Sequence, residues 1–118
     1  MTNEIQYTVE WTIKPGGLKI FKDIANKAIK LVQDSEPGMK GYQWYFNNDE
    51  SKCYTAEWQL SSESLLTHLQ NVGSILPELL EHSDITRFEV FGNLNSKASE
   101  AVKGLGAKVF GYFNGFTR

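Results

Sequence analysis

The chain has 118 residues, 41% of them hydrophobic and 22% charged, proportions that support a packed core and exclude a disordered segment. A formal net charge of −2 argues against a nucleic-acid groove or a polybasic membrane patch, and the single cysteine, Cys53, excludes an internal disulfide. No apolar run approaches the roughly 18 residues of a membrane span, and the first residues lack a signal-like basic and apolar stretch; one domain over 1–118, cytoplasmic and without a membrane or nucleic-acid partner, is expected.

Residues 5–13 alternate strictly, with Ile5, Tyr7, Val9, Trp11 and Ile13 on one face and Gln6, Thr8, Glu10 and Thr12 on the other, which predicts a strand. Lys14-Pro15-Gly16-Gly17 breaks it. From Leu18 to about Asp34 the period becomes helical: Phe21, Ile24, Ala25, Ala28, Leu31 and Val32 form one stripe, and Glu36-Pro37-Gly38 ends it. Residues 39–46 and 52–60 read as two strands around a polar hairpin loop. On the second, Tyr54, Ala56 and Trp58 oppose Cys53, Thr55, Glu57 and Gln59. Ser61-Ser62-Glu63 offers a helix N-cap, and a helix with Leu65, Leu66 and Leu69 follows. Gly73-Ser74 interrupts it before a second piece over about 74–81, with Pro77 in its first turn. Ile85 to Gly92 predicts a fourth strand, with Thr86, Phe88 and Val90 on one side. Residues 96–103 then predict a short helix, and 107 to about 113 a fifth strand.

The order β-α-β-β-α-(α)-β-α-β predicts an α+β fold: a ferredoxin-like antiparallel sheet with helices on one face and an extra C-terminal helix and strand. The uncovered face is expected to hold Thr8, Glu10 and Thr12 together with Thr55, Glu57, Gln59, Arg87 and Glu89. Tyr45 and Phe91 fall in the same set and would be poor solvent residues, so this face is expected to be a homodimer contact, reached across by the fifth strand. Arg87 is expected to pair with Glu10, Glu57 or Glu89.

Gly104-x-Gly106 begins a dinucleotide-type glycine pattern, but Val109 occupies its third position and a strand follows, so that reading fails. Cys53 reads as a structural thiol, and His82 sits in a last helical turn where the dipole favours it. His68 lies in the middle of the second helix, beside its apolar stripe. It is either a core-edge histidine bonded to a backbone carbonyl or an acid–base group facing the aromatic strands.

The stretch Tyr54-Thr-Ala-Glu-Trp58-Gln-Leu-Ser-Ser-Glu63-Ser-Leu-Leu66-Thr-His68-Leu69 resembles the antibiotic-biosynthesis monooxygenase (ABM) superfamily of dimeric ferredoxin-like α/β barrels. It is similar to that family's third-strand tryptophan, acidic turn, and Leu and His on the second helix. The resemblance covers about residues 3–113. It implies a homodimer that oxidises a small quinol, phenol or anthrone-like aromatic with O2 and no cofactor. It also implies a site in which His68, Trp58 and Tyr54 are catalytic and Trp44, Tyr42, Phe88, Val9 and Leu65 bind substrate. An electron-rich phenolate can reduce O2 itself, so such a protein need only bind the ring, remove a proton and exclude water. The haem-degrading branch is excluded, since the first strand carries no Asn and the second helix no Trp. The alternative is a non-oxidative binding module or isomerase-like relative on the same barrel.

Overall fold

A computed structural model describes residues 3–118. Its strands are β1 (Ile5–Ile13), β2 (Met39–Phe46), β3 (Lys52–Gln59), β4 (Ser83–Phe91) and β5 (Lys108–Phe110), and its helices α1 (Leu18–Ser35), α2 (Ser62–Asn71), α3 (Leu76–His82) and α4 (Ser96–Gly104). They form a five-stranded sheet in the order β2-β3-β1-β4-β5. The ferredoxin-like part is antiparallel, as expected. β5 departs from that plan: it is three residues long and pairs parallel to the last three residues of β4, because the α4 crossover brings the chain back beside Glu89 running in the same direction.

The alternation of β1 fixes which face is core. Ile5, Tyr7, Val9 and Trp11 are buried against the helices, which contribute Phe21, Ala28, Leu65, Leu79 and Val102. Trp11 stacks on Trp44, and Phe21 meets both ring systems edge-on. α2 starts on a capping box, Ser61 accepting from the Ser64 amide while the Ser64 hydroxyl accepts from the Ser61 amide.

Two expectations about strand faces are corrected. In β3 the residues expected on the uncovered face, Thr55, Glu57 and Gln59, point into the core beside Cys53, whereas Tyr54 and Trp58 point out. The register explains it: Cys53, Thr55, Glu57 and Gln59 lie opposite the buried Trp11, Val9, Tyr7 and Ile5. Thr55 and Gln59 find partners inside, Trp11 Nε1 donating to Thr55 Oγ1 (3.4 Å) and Gln59 Nε2 to the Tyr7 hydroxyl (3.1 Å), while Gln59 Oε1 has none among the described residues. In β4 a bulge at Thr86 shifts the parity, since Glu10 pairs with Arg87 and Trp11 with Ile85. Thr86 therefore turns outward, where its hydroxyl donates to Glu10 (2.6 Å), and Ile85 turns toward the core.

Candidate functional site: a clamped histidine at the end of a cavity

His68 follows Leu65 by three residues, so the helical repeat aims both at the sheet, and both are buried. Its ring lies between two carboxylates. Nδ1 is 2.9 Å from Glu36 Oε1, at the end of α1, and Nε2 is 3.3 Å from Glu57 Oε1, in the middle of β3. All three side chains are 5% exposed or less. Glu36 is steadied in turn by Asn71, whose Nδ2 donates to Glu36 Oε2 and to the Ser35 hydroxyl, each at 2.9 Å.

Below the histidine the sheet presents a cross-strand row. Glu57 of β3 stands opposite Tyr7 of β1 on one side and Tyr42 of β2 on the other. The Tyr42 ring meets the His68 ring edge-on at 5.2 Å. Tyr7 lies within hydrogen-bonding reach of Glu57 and accepts from Gln59. The Tyr42 hydroxyl has no hydrogen-bond partner among the described residues.

Burial by itself would push the His68 ring toward its neutral form. The hydrogen bonds and charges of Glu36 and Glu57 outweigh it and hold the imidazole up at about 9, so both ring nitrogens carry protons at neutral pH. Burial, reinforced by the charge of Glu57, pushes Tyr7 and Tyr42 well above the ordinary phenol range and keeps both protonated. The arrangement is an imidazolium shared by two carboxylates, flanked by two neutral phenols. It can polarise or exchange a proton with a bound group.

His68, Glu57, Tyr7 and Tyr42 form the polar end of a cavity of about 60 Å³ between the sheet and the helices, with Glu36 behind the histidine and outside the lining. The remaining walls are apolar, including Val9, Phe88, Leu69, Ile75 and Leu79, with Leu105 at the exposed side. About 60 Å³ is well below the few hundred of a drug-sized pocket.

Of the residues singled out from the sequence, His68, Tyr42, Phe88 and Val9 line this cavity. Leu65 and Trp44 are packed in the core outside it. Trp58 and Tyr54 stand on the opposite face of the sheet, so the one site that the resemblance implies is divided between the two faces. Trp58 lies under the Lys40 ammonium (4.3 Å) and Tyr54 donates to Glu10. Glu57, Glu36 and Tyr7 went unrecognised. Tyr7 and Glu57 would have been found by aligning β3 with β1 so that Cys53 lay inside; no signal in the helix-breaking Glu36-Pro37-Gly38 marks Glu36 as buried.

On the outer face Arg87 forks onto Glu89 (2.9 and 3.2 Å), as expected for one member of the carboxylate set. A second cavity, about 600 Å³, lies between this face and the C-terminal segment, lined by Trp58, Phe91, Phe110, Tyr112 and Phe116 among others. Cys53 is buried and its thiol is pushed up to about 12 by that burial, in keeping with a structural role.

An antiparallel β-α-β-β-α-β sheet with its helices on one face is the fold of solved structures named as antibiotic biosynthesis monooxygenases. MupZ from Pseudomonas fluorescens superposes with a TM-score of 0.83 at 21% identity, over 99% of this chain and 96% of that one. A mutant of SnoaB from Streptomyces nogalater, named a cofactor-independent oxygenase, gives 0.67 at 12% identity over 80% of this chain and 97% of that one. A candidate antibiotic biosynthesis monooxygenase from Caulobacter crescentus gives 0.68 at 16% identity over 75% and 88%. No family model matches the chain, and no curated protein matches it by sequence. At these identities the likeness is one of fold.

Proposed function

We propose that the protein is a cofactor-independent enzyme that moves a proton on a small, largely apolar organic substrate held between sheet and helices. The observation that carries this reading is the buried His68 imidazolium clamped between Glu36 and Glu57, next to a Tyr42 hydroxyl with no described protein partner. A structural core gains little from burying three ionisable groups, because their desolvation offsets most of their attraction.

Both His68 nitrogens are engaged, so His68 acts through Glu57. It holds that carboxylate in place and supplies positive charge near the bound group. Glu57 accepts a proton from an acidic O–H or C–H, and Tyr42 donates a hydrogen bond to the substrate oxygen. The substrate anion then lies near the imidazolium, and the total charge of the site is unchanged. Val9 and Phe88 supply apolar contact and exclude water. Trp58 and Tyr54, on the outer face, are assigned no contact with this substrate.

The fate of the anion separates two readings. If the substrate is a quinol, phenol or anthrone, the anion can pass an electron to O2. Recombination at carbon followed by loss of water places one oxygen atom in the product and the other in water. The names borne by the Streptomyces and Caulobacter structures favour this monooxygenase reading. If reprotonation occurs at another atom, the enzyme is isomerase-like and consumes no O2. A cytoplasmic homodimer joined through the outer sheet faces completes the proposal, supported by Tyr45, Phe91 and Phe110 standing exposed there.

The test is one reaction with two readouts. Metal-stripped protein is incubated in aerobic D2O with a panel of quinols and anthrones, following O2 uptake by electrode and C–H exchange by NMR. The proposal expects one or both to exceed the buffer rate, and Glu57→Gln to lower the excess by about 10²–10⁴. Uptake of O2 selects the monooxygenase, exchange without uptake the isomerase-like enzyme. No excess rate with any member, or an excess unchanged in Glu57→Gln, overturns it.

A further inference from the structure

The charges around the cavity bear on what it admits. His68 is balanced by two carboxylates. Glu36 is shared between His68 and Asn71, and Glu57 between His68 and Tyr7. Among the described residues, no charged side chain lining the cavity is left without a counter-group, and the imidazolium with its two carboxylates is formally −1. An ionised ligand head would therefore enter a buried site in which every group of opposite sign is already held by another. A carboxylate or phosphate would add to the negative charge, and an ammonium would have to draw Glu57 away from His68. What the site does offer is the free Tyr42 hydroxyl beside Glu57, a donor and an acceptor suited to an uncharged oxygen.

Shape adds a second constraint. The cavity, about 60 Å³, can enclose the reacting end of a substrate, and its walls away from the polar end are aliphatic or aromatic. Of the lining residues Leu105 is the most exposed, at 37%, so it stands at the mouth. It sits between Gly104, around which a Cβ would meet nothing within 4 Å, and Gly106, whose φ of +91° suits glycine. The mouth residue is thus carried on a tight turn whose backbone is tied to α4, Leu105 and Ala107 N–H donating to the Val102 carbonyl and Gly106 N–H to that of Lys103.

We infer that the cavity selects substrates that arrive uncharged, placing a hydroxyl or carbonyl oxygen between Tyr42 and Glu57 while an apolar chain or ring runs out past Leu105. This inference rests on the acid–base reading of the same site and names the substrate class that reading lacks. Leu105 is then a specificity-determining residue, acting on how wide a substrate can be and taking no part in the proton transfer.

The test uses three probes of one length, 1-hexanol, hexanoate and hexylammonium, titrated at pH 7 into the full chain while the His68 ring protons are followed by NMR. 1-Hexanol is expected to shift them saturably, and each ionised probe to bind at least about tenfold more weakly. Leu105→Trp should weaken 1-hexanol at least about tenfold, and Leu105→Ala should leave the preference for the alcohol intact. Either ionised probe binding as tightly as the alcohol overturns the inference, as does an alcohol that gives no saturable shift. An alcohol bound as expected by a protein inactive in the panel assay refutes the catalytic reading and upholds the selectivity. A tight ionised probe with Glu57-dependent turnover refutes the selectivity and upholds the catalysis.

Discussion

Glu57 is the residue on which the account turns, and its strand hides it. It stands between Ala56 and Trp58, where the more apolar alternate set (Tyr54, Ala56, Trp58) invites assignment to the core. The core instead takes the set with Cys53, Thr55 and Gln59, whose register places it opposite the buried face of β1 and whose Thr55 hydroxyl, Glu57 carboxylate and Gln59 Nε2 find partners on β1 or α2. His68 was legible because helical spacing after Leu65 fixes its direction, whereas its two carboxylates come from elements 32 and 11 residues away and no local pattern reports them. Removing one partner tests the clamp. Glu36→Leu takes the acceptor from His68 Nδ1 and from Asn71 Nδ2, leaving buried donors unmet, and should destabilise the fold by about 1–3 kcal/mol in urea denaturation. The clamp also makes stability depend on pH. His68 is raised to about 9 in the folded chain from an ordinary value of 6.5. Its stabilising contribution is therefore complete below about pH 6.5 and is lost as the pH rises through about 9. The midpoint of thermal unfolding should fall between pH 6.5 and 9.5 in the wild type and fall less in His68→Gln; equal slopes would contradict the clamp.

At the scale of elements, the position of α2 decides where His68 lies. Its start is fixed by Ser61, which the sequence marked as a cap, and by the reciprocal bond from Ser64, which it did not. Ser61→Ala should cost about 1 kcal/mol in chemical denaturation, with Ser61→Asp restoring most of it. Gly38, in the turn between α1 and β2, packs directly under α2: a Cβ there would come within 2.7 Å of the Ser64 Cβ. Gly38→Ala should push α2 off the sheet, costing about 1–3 kcal/mol and shifting the His68 ring resonances. Unchanged resonances would show that α2 is not seated through this contact. The bulge at Thr86 explains why β4 was misread. Alternation carried through it puts Thr86 and Phe88 on one face, and a register break has no signature in a single strand, only in the pair. β5 was overextended because Phe110, Tyr112 and Phe113 look like strand residues, although the ladder with β4 ends at Phe110.

Over the whole molecule the sheet separates two faces of different chemistry. The inner face and the helices enclose the acid–base cluster, while the outer face carries Tyr45, Phe91, Phe110 and, beyond the last strand, Phe113 and Phe116, exposed by 95% and 79%. Element order and the β1 alternation made the fold readable from the sequence, and with it the presence of an uncovered sheet face. The division of Trp58 and Tyr54 from His68 was not readable, because it depends on pairing between strands. Aromatic exposure on this scale favours association. Light scattering at micromolar concentration should give twice the chain mass, with at least about 1,600 Å² buried between copies. A monomer would require another partner for that face.

The central claim, that His68 is a charged group held between two buried carboxylates, is tested most directly by NMR titration of its imidazole. The chain has two histidines, so comparison with His68→Gln assigns the signal. The account predicts a ring that stays protonated through neutral pH and titrates near 9, with the midpoint lowered in both Glu36→Gln and Glu57→Gln. A His68 that titrates at or below 6.5, or whose midpoint is indifferent to both substitutions, would contradict it.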